Sequence, residues 1–159
     1  MQIEIICVGK LKEDYLKAAS AEYQKRLSRF CTLLVHELRD EAIPENASPA
    51  QVRQAMEKEA ARIEAFLQPR DFIISLCVEG RQESSEGFAE TLSAAFSAGA
   101  GRLVFIIGGS CGLADSIKSK SRIKLSFSKM TFPHQLMRVI LLEQVYRAFK
   151  INAGENYHK

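Results

Sequence analysis

With 159 residues, 47% of them hydrophobic, the chain suffices for one domain burying about two-thirds of its unfolded surface, which excludes dependence on disulfide or metal staples. No apolar run approaches the roughly 18 residues of a membrane span, and Met1 to Val8 lacks the features of a signal peptide, so a cytoplasmic protein with no membrane partner is expected. The net charge of +3 is uneven: from Lys118 onward nine Lys/Arg stand against two Asp/Glu, so that stretch carries +7 and the remainder −4, which hints at a polyanionic partner such as nucleic acid.

Short apolar runs alternate with helical patterns along the chain. Ile3 to Val8 reads as a buried strand, Asp14 to Arg29 as a helix with Leu16, Ala19, Tyr23 and Leu27 on one face, and Thr32 to Leu38 as a second strand. After a loop with Pro44 and Asn46, Ser48 caps a helix with Pro49 at its first position, running to Leu67 before Pro69. Phe72 to Val78 is the third strand, and Ser84-Ser85-Glu86 starts a helix that lasts to Ala98. Leu103 to Ile107 forms the fourth strand, Leu113 to Lys118 a short helix and Ile123 to Phe127 the fifth strand. This alternation predicts an α/β domain over residues 1–159, with a mainly parallel sheet and helices on both faces. The cysteines, Cys7, Cys31, Cys77 and Cys111, contain no C-x-x-C pair and are expected as reduced thiols; no metal site is expected.

The final helix, from Pro133 to Ile151, is apolar over most of its circumference, with Leu136, Met137, Val139, Ile140, Leu141, Leu142, Val145, Tyr146 and Phe149. Such a helix is buried on more than one side, either within its own core or against a second subunit, and a homodimer is the favoured reading. Arg138, Glu143 and Arg147 interrupt the apolar surface as candidates for interface pairs or a pocket rim.

Two loops suggest a cofactor pocket. Gly108-Gly109-Ser110-Cys111-Gly112 follows an apolar strand and is either a tight structural turn or a place where a ligand approaches the backbone. The turn around Ser126, Ser128 and Thr131 offers hydroxyls and backbone groups, with Phe127, Met130 and Phe132 expected to exclude water. The Walker pattern is absent and the glycines do not match G-x-G-x-x-G, which argues against a P-loop or a dinucleotide fingerprint. Ligands of parallel sheets sit beyond the strands' carboxyl ends, where Leu76, Gly108 and Ser126 to Met130 all fall.

The runs Phe105 to Leu113, Leu125 to Arg138 and Glu143 to Lys150, with the tail Tyr157-His158-Lys159, resemble the RlmH family of bacterial SPOUT-class methyltransferases, and the likeness extends from Val8-Gly9-Lys10-Leu11-Lys12 to the last residue. That family methylates N3 of a pseudouridine in helix 69 of the large-subunit 23S rRNA. The resemblance implies a C-terminal deep trefoil knot, a homodimer with a composite active site, and assembled ribosomes as substrate. It assigns S-adenosylmethionine to Leu76, Gly108 and the segment Phe127, Ser128, Lys129, Met130, Thr131 and Phe132.

The same resemblance places His134 in the active site, as the base, as the group that orients the base, or as a first-turn histidine that only hydrogen-bonds the loop. It brings the tail Tyr157, His158 and Lys159 to the partner's active site, for base stacking and phosphate contact, with Arg138 and Glu143 in support. Lys118, Lys120, Arg122 and Lys124 are either phosphate contacts or a solvated face. Two other readings remain: a methyltransferase of this fold acting on another RNA or a small molecule, and a non-catalytic ribosome-binding factor that retains the fold.

Overall fold

The computed structural model describes residues 1–157. Five strands and five helices alternate: β1 (Gln2–Val8), α1 (Asp14–Leu27), β2 (Thr32–Leu38), α2 (Pro49–Glu64), β3 (Asp71–Gln82), α3 (Ser85–Ser97), β4 (Arg102–Ile107), α4 (Asp115–Lys120), β5 (Ile123–Ser126) and α5 (His134–Asn152). The strands form one sheet in the order β2-β1-β4-β3-β5, and each neighbouring pair is parallel. Each strand must therefore be reached by a crossover, which the helices supply.

Side chains two apart along a strand fall on one face of the sheet. Ile3, Ile5 and Cys7 of β1 and Leu103, Phe105 and Ile107 of β4 join one core with Leu27 of α1, Phe88 and Leu92 of α3, and Leu141, Val145 and Phe149 of α5. The alternate residues Ile6, Val8, Val104 and Ile106 join a second core with Ala60 and Ile63 of α2 and Ile117 of α4. Covered on both sides, β1 and β4 read as almost unbroken apolar runs. Burying one such side chain contributes about 1.5–3 kcal/mol.

Local chemistry sets the element ends. Ser48 Oγ accepts the Gln51 N–H at 3.3 Å while Gln51 Oε1 accepts the Ser48 N–H at 2.8 Å, a capping box ahead of Pro49. The same helix stops at Glu64 instead of Leu67: Phe66 and Leu67 donate to Ile63 and Glu64 in tightened turns, and the approach of Pro69 disfavours further helix. Strand β3 outlasts the expected Val78 because it rejoins β5 after an excursion, with Leu76 and Arg81 both opposite Leu125. Strand β5 ends at Ser126, whose hydroxyl donates to the Ser128 carbonyl at 2.9 Å and turns the chain away. Helix α4 begins two residues later than expected because Ala114 keeps an extended backbone, ψ 150°, and stands as its N-cap.

At the sheet's amino end, β1, β4 and β3 contribute Glu4, Arg102 and Asp71 to a buried ion network. Arg102 donates from Nε to Asp71 Oδ1 at 2.6 Å, from Nη2 to Asp71 Oδ2 at 3.0 Å and to the Phe66 carbonyl, and from Nη1 to Glu4 Oε1. The other Glu4 oxygen contacts His36 Nε2 at 3.1 Å, and His36 lies on the Phe66 ring. Hydrogen bonding to Asp71 keeps the Arg102 guanidinium above its ordinary pKa.

Candidate functional site

Three strand ends converge as the parallel-sheet rule predicts. Loops after Leu76 of β3, Ile107 of β4 and Leu125 of β5 surround a cavity of about 710 Å³, and Pro133, His134 and Met137 at the start of α5 complete its wall. Leu76, Gly108, Phe127, Ser128, Met130, Thr131 and Phe132 all line it, whereas the exposed Lys129 does not. Met130, expected to help exclude water, lines the cavity and is 74% exposed. Its N–H donates to Ser128 Oγ at 2.9 Å, so the hydroxyl-rich turn is held chiefly by its own bonds. A smaller cleft of about 260 Å³ shares Leu125, Ser126, Phe127 and Phe132, so this loop separates two hollows.

The glycine turn is a structural feature before it is a ligand contact. A Cβ on Gly108 would lie 2.7 Å from the Gly112 carbonyl group and 3.1 Å from Leu113 Cγ, while Gly112 has φ of +82°. Bare Cα atoms therefore let the turn fold onto itself, closed by the Gly112 N–H donating to the Gly109 carbonyl at 3.1 Å. Cys77 and Cys111 line the cavity and are half-buried, unlike Cys7 and Cys31, whose thiols burial pushes up to about 12 and about 11.

His134 stands where α5 meets the end of β1. Its Nε2 lies 3.1 Å from where a Cβ on Gly9 would be, and Gly9 has φ of +91°. Burial, then the positive charge of Arg138, lowers the His134 pKa, so the imidazole is neutral at neutral pH. Arg138, one turn along α5, is 2% exposed, donates to the Gly9 carbonyl at 2.9 Å and pairs with Glu37 of β2. It holds the Gly9 turn beside His134 and is not part of the cavity wall.

Glu143 and Tyr157 form a separate group beyond the wall. Arg147 donates to Glu143 Oε1 from Nε at 3.0 Å, and its guanidinium lies 4.8 Å from the centre of the Tyr157 ring. The Tyr157 hydroxyl is 3.4 Å from Glu143 Oε1, its ring stands edge-on to Tyr146, and burial raises its pKa to about 12. One subunit thus does not unite these residues with His134. His158 and Lys159 lie outside the described residues.

Several neighbours of the cavity were not picked out in the sequence: Gly9, Glu37, Glu59 and Glu79. Glu79 of β3 lines the cavity in an ion pair with Lys118, while Lys120 pairs with Glu64 and Arg122 lies over the Phe72 ring. The glycines after Val8 and Glu79 were the available signals. Glu59 of α2 is 7% exposed behind the glycine turn and accepts the Glu41 N–H at 2.9 Å.

Burial raises the Glu59 pKa above its unfolded value. Its contribution is therefore fully present below the ordinary carboxylate range and is lost as pH rises through the folded pKa. Glu59→Gln, which keeps an acceptor for Glu41, is expected to flatten that loss, as denaturant melts across pH 4–8 would reveal; an unchanged pH dependence would contradict it. Among the described residues no cluster of three His, Cys, Asp or Glu could hold a metal ion, and no helix is long and apolar enough to cross a membrane.

A family model described as a predicted SPOUT methyltransferase matches residues 1–158. The ribosomal RNA large subunit methyltransferase H of Streptococcus equi subsp. zooepidemicus is 54% identical over 159 residues, covering 100% of both chains. Proteins of the same name from Clostridium novyi and Bacillus cytotoxicus are 53% and 52% identical over the same full length. Among solved structures, a probable methylase family protein from Haemophilus influenzae aligns with a TM-score of 0.55 at 13% identity, covering 99% of this chain and 70% of that one, a likeness of fold alone.

Proposed function

The chain belongs to the SPOUT methyltransferase family, and within it to the ribosomal RNA large subunit methyltransferase H group, and from that premise we propose that it methylates large-subunit rRNA with S-adenosylmethionine at the three-loop cavity. The observation that carries this reading is the cavity itself, about 710 Å³ beyond the carboxyl ends of β3, β4 and β5. Its volume suits a nucleoside cofactor, and its apolar walls with a few polar groups are the usual make-up of such sites. Leu76, Gly108, Phe127, Ser128, Met130, Thr131 and Phe132 would hold the cofactor, the aromatic and aliphatic walls enclosing the adenine faces and the turn's backbone groups meeting its edge. When bound, S-adenosylmethionine supplies an electrophilic methyl group.

The target is N3 of a pseudouridine in helix 69 of 23S rRNA, presented on the assembled ribosome. That nitrogen carries a proton near neutral pH, so its lone pair is free for attack only once the proton leaves. His134 would accept it, a role supported by its neutral state and its position in the cavity wall. Arg138 positions His134 by bracing Gly9. Because Glu143 and Tyr157 sit apart from His134 within one subunit, a homodimer brings the Tyr157, His158 and Lys159 tail to the partner's cavity. Half-buried Met137, Val139 and Ile140 and exposed Leu136 on α5 support that assembly.

The whole chain acts as one cytoplasmic domain without a metal. A deep trefoil knot in its C-terminal part accords with the chain path: eight steps from Ser126 on the edge strand to His134 cross β3 and β4 to reach the end of β1. Gly108→Ala would force a Cβ against the Gly112 backbone at 2.7 Å. It is expected to cost about 1–3 kcal/mol of the turn's preferred geometry and to weaken cofactor affinity roughly tenfold or more, read by calorimetric titration.

Mass mapping of rRNA after reaction tests the target. The proposal requires the added methyl on a helix 69 pseudouridine and none when the uridine there has not been isomerised. A methyl elsewhere would keep the enzyme and replace its substrate.

A further inference from the structure

The β3·β5 ladder is interrupted beside the cavity. Leu76 and Arg81 both stand opposite Leu125, so Cys77–Gly80 leaves the ladder and returns. Gly80 makes this possible, because a Cβ there would lie 2.6 Å from the Leu125 carbonyl carbon and 2.7 Å from the Lys124 carbonyl. Excursions of this kind re-aim side chains next to sites. Here it brings Glu79 to the cavity wall, where the carboxylate pairs with the Lys118 ammonium of α4. The Lys118 side chain is 21% exposed and that of Glu79 is 56% exposed, so the cation is set into the wall and the carboxylate stays accessible.

Apart from two thiols, the described residues lining the cavity carry ionisable side chains only at Glu79, Lys118 and His134. These stand at opposite poles: His134 rests on Gly9 after β1, Glu79 leaves β3, and β4 lies between. Two strand spacings are about 10 Å, comparable with a nucleoside and its 5′ substituent. If the methyl is presented at the His134 pole, the far pole meets the sugar. An ionised carboxylate only accepts hydrogen bonds and has about four lone-pair sites, so one ammonium leaves acceptors over. Two adjacent hydroxyls are donors suited to it.

We propose that Glu79, oriented by Lys118, reads the 2′- and 3′-hydroxyls of the cofactor's ribose and so selects ribonucleoside over deoxynucleoside ligands. The proposal rests on the assignment of this cavity to S-adenosylmethionine. Glu79 is the specificity residue and Lys118 a positioning residue, which fixes the carboxylate across the excursion. Hydrogen bonding to Lys118 also holds the Glu79 pKa below its ordinary value, so the acceptor stays ionised through neutral pH.

Calorimetric titration of the full chain with S-adenosylhomocysteine and its 2′-deoxy and 3′-deoxy analogues tests this without turnover. The wild type should bind the deoxy analogues about tenfold to a hundredfold more weakly, the span expected for hydrogen bonds to a charged group. Glu79→Ala should bind all three alike, with an unchanged circular dichroism spectrum, while Lys118→Met should narrow the discrimination without erasing it.

Discrimination that survives Glu79→Ala, or a wild type that does not discriminate, would overturn the proposal and leave the cavity assignment standing. Discrimination unchanged by Lys118→Met would overturn its positioning role. Failure of the wild type to bind S-adenosylhomocysteine or S-adenosylmethionine at all would instead withdraw the cavity assignment and this proposal with it.

Discussion

His134→Ala is expected to lower kcat by about 10²–10⁴-fold, the usual contribution of a positioned general base, while leaving the affinity for S-adenosylmethionine close to wild type. The expectation comes from where the imidazole sits: in the cavity wall, against Gly9, with a pKa lowered by burial and by Arg138. A base must be unprotonated to act. Because the pKa is depressed, the neutral form persists below the ordinary histidine value of about 6.5, so the acid limb of the kcat profile should lie below that value. Arg138→Met removes a positive neighbour and should move the limb upward, towards the ordinary value. Should His134→Ala keep wild-type kcat at every pH with normal cofactor binding, the base role fails and His134 only supports the loop.

Arg102→Leu is expected to destabilise the fold by about 3–5 kcal/mol, the range for removing one partner of a buried ion network. The loss comes less from the forfeited hydrogen bonds than from the groups left behind. Asp71 and Glu4 would remain in the sheet with 1% and 4% of their side chains exposed and no guanidinium between them. Three strands meet at that residue, so the penalty falls on the pairing of β1, β4 and β3 together. Urea unfolding read at two wavelengths measures it. A change under 1 kcal/mol would mean that the carboxylates find water or other donors once Arg102 is gone.

Much of this architecture is written in local patterns. Almost unbroken apolar runs marked β1 and β4 because both faces of each are covered, and Ser48-Pro49 with Gln51 marked the start of α2 because a capping box is a contiguous signal. The strand ends that frame the cavity were legible for the same reason. Long-range pairing was not. Glu37 and Arg138 are 101 residues apart and Glu4 and Arg102 are 98 apart, and no periodicity couples such positions.

The Cys77–Gly80 excursion was equally hidden, since it exists only through the register of β5 against β3. Apolar character marked Met130 as part of the cavity wall, which it lines, but not that it would stand 74% exposed. The motif resemblance shared His134 and Tyr157 between two subunits, but no pattern in the sequence showed that within one subunit Glu143 and Tyr157 gather on Arg147, away from the cavity.

The most direct measurement is transfer of a labelled methyl group from S-adenosylmethionine to ribosomes isolated from cells that lack this modification, with the wild type and Gly108→Ala run side by side. The predicted result is saturable label confined to large-subunit rRNA, with Gly108→Ala needing a higher cofactor concentration to reach it. Ribosomes that stay unlabelled while the protein binds S-adenosylmethionine would contradict the account.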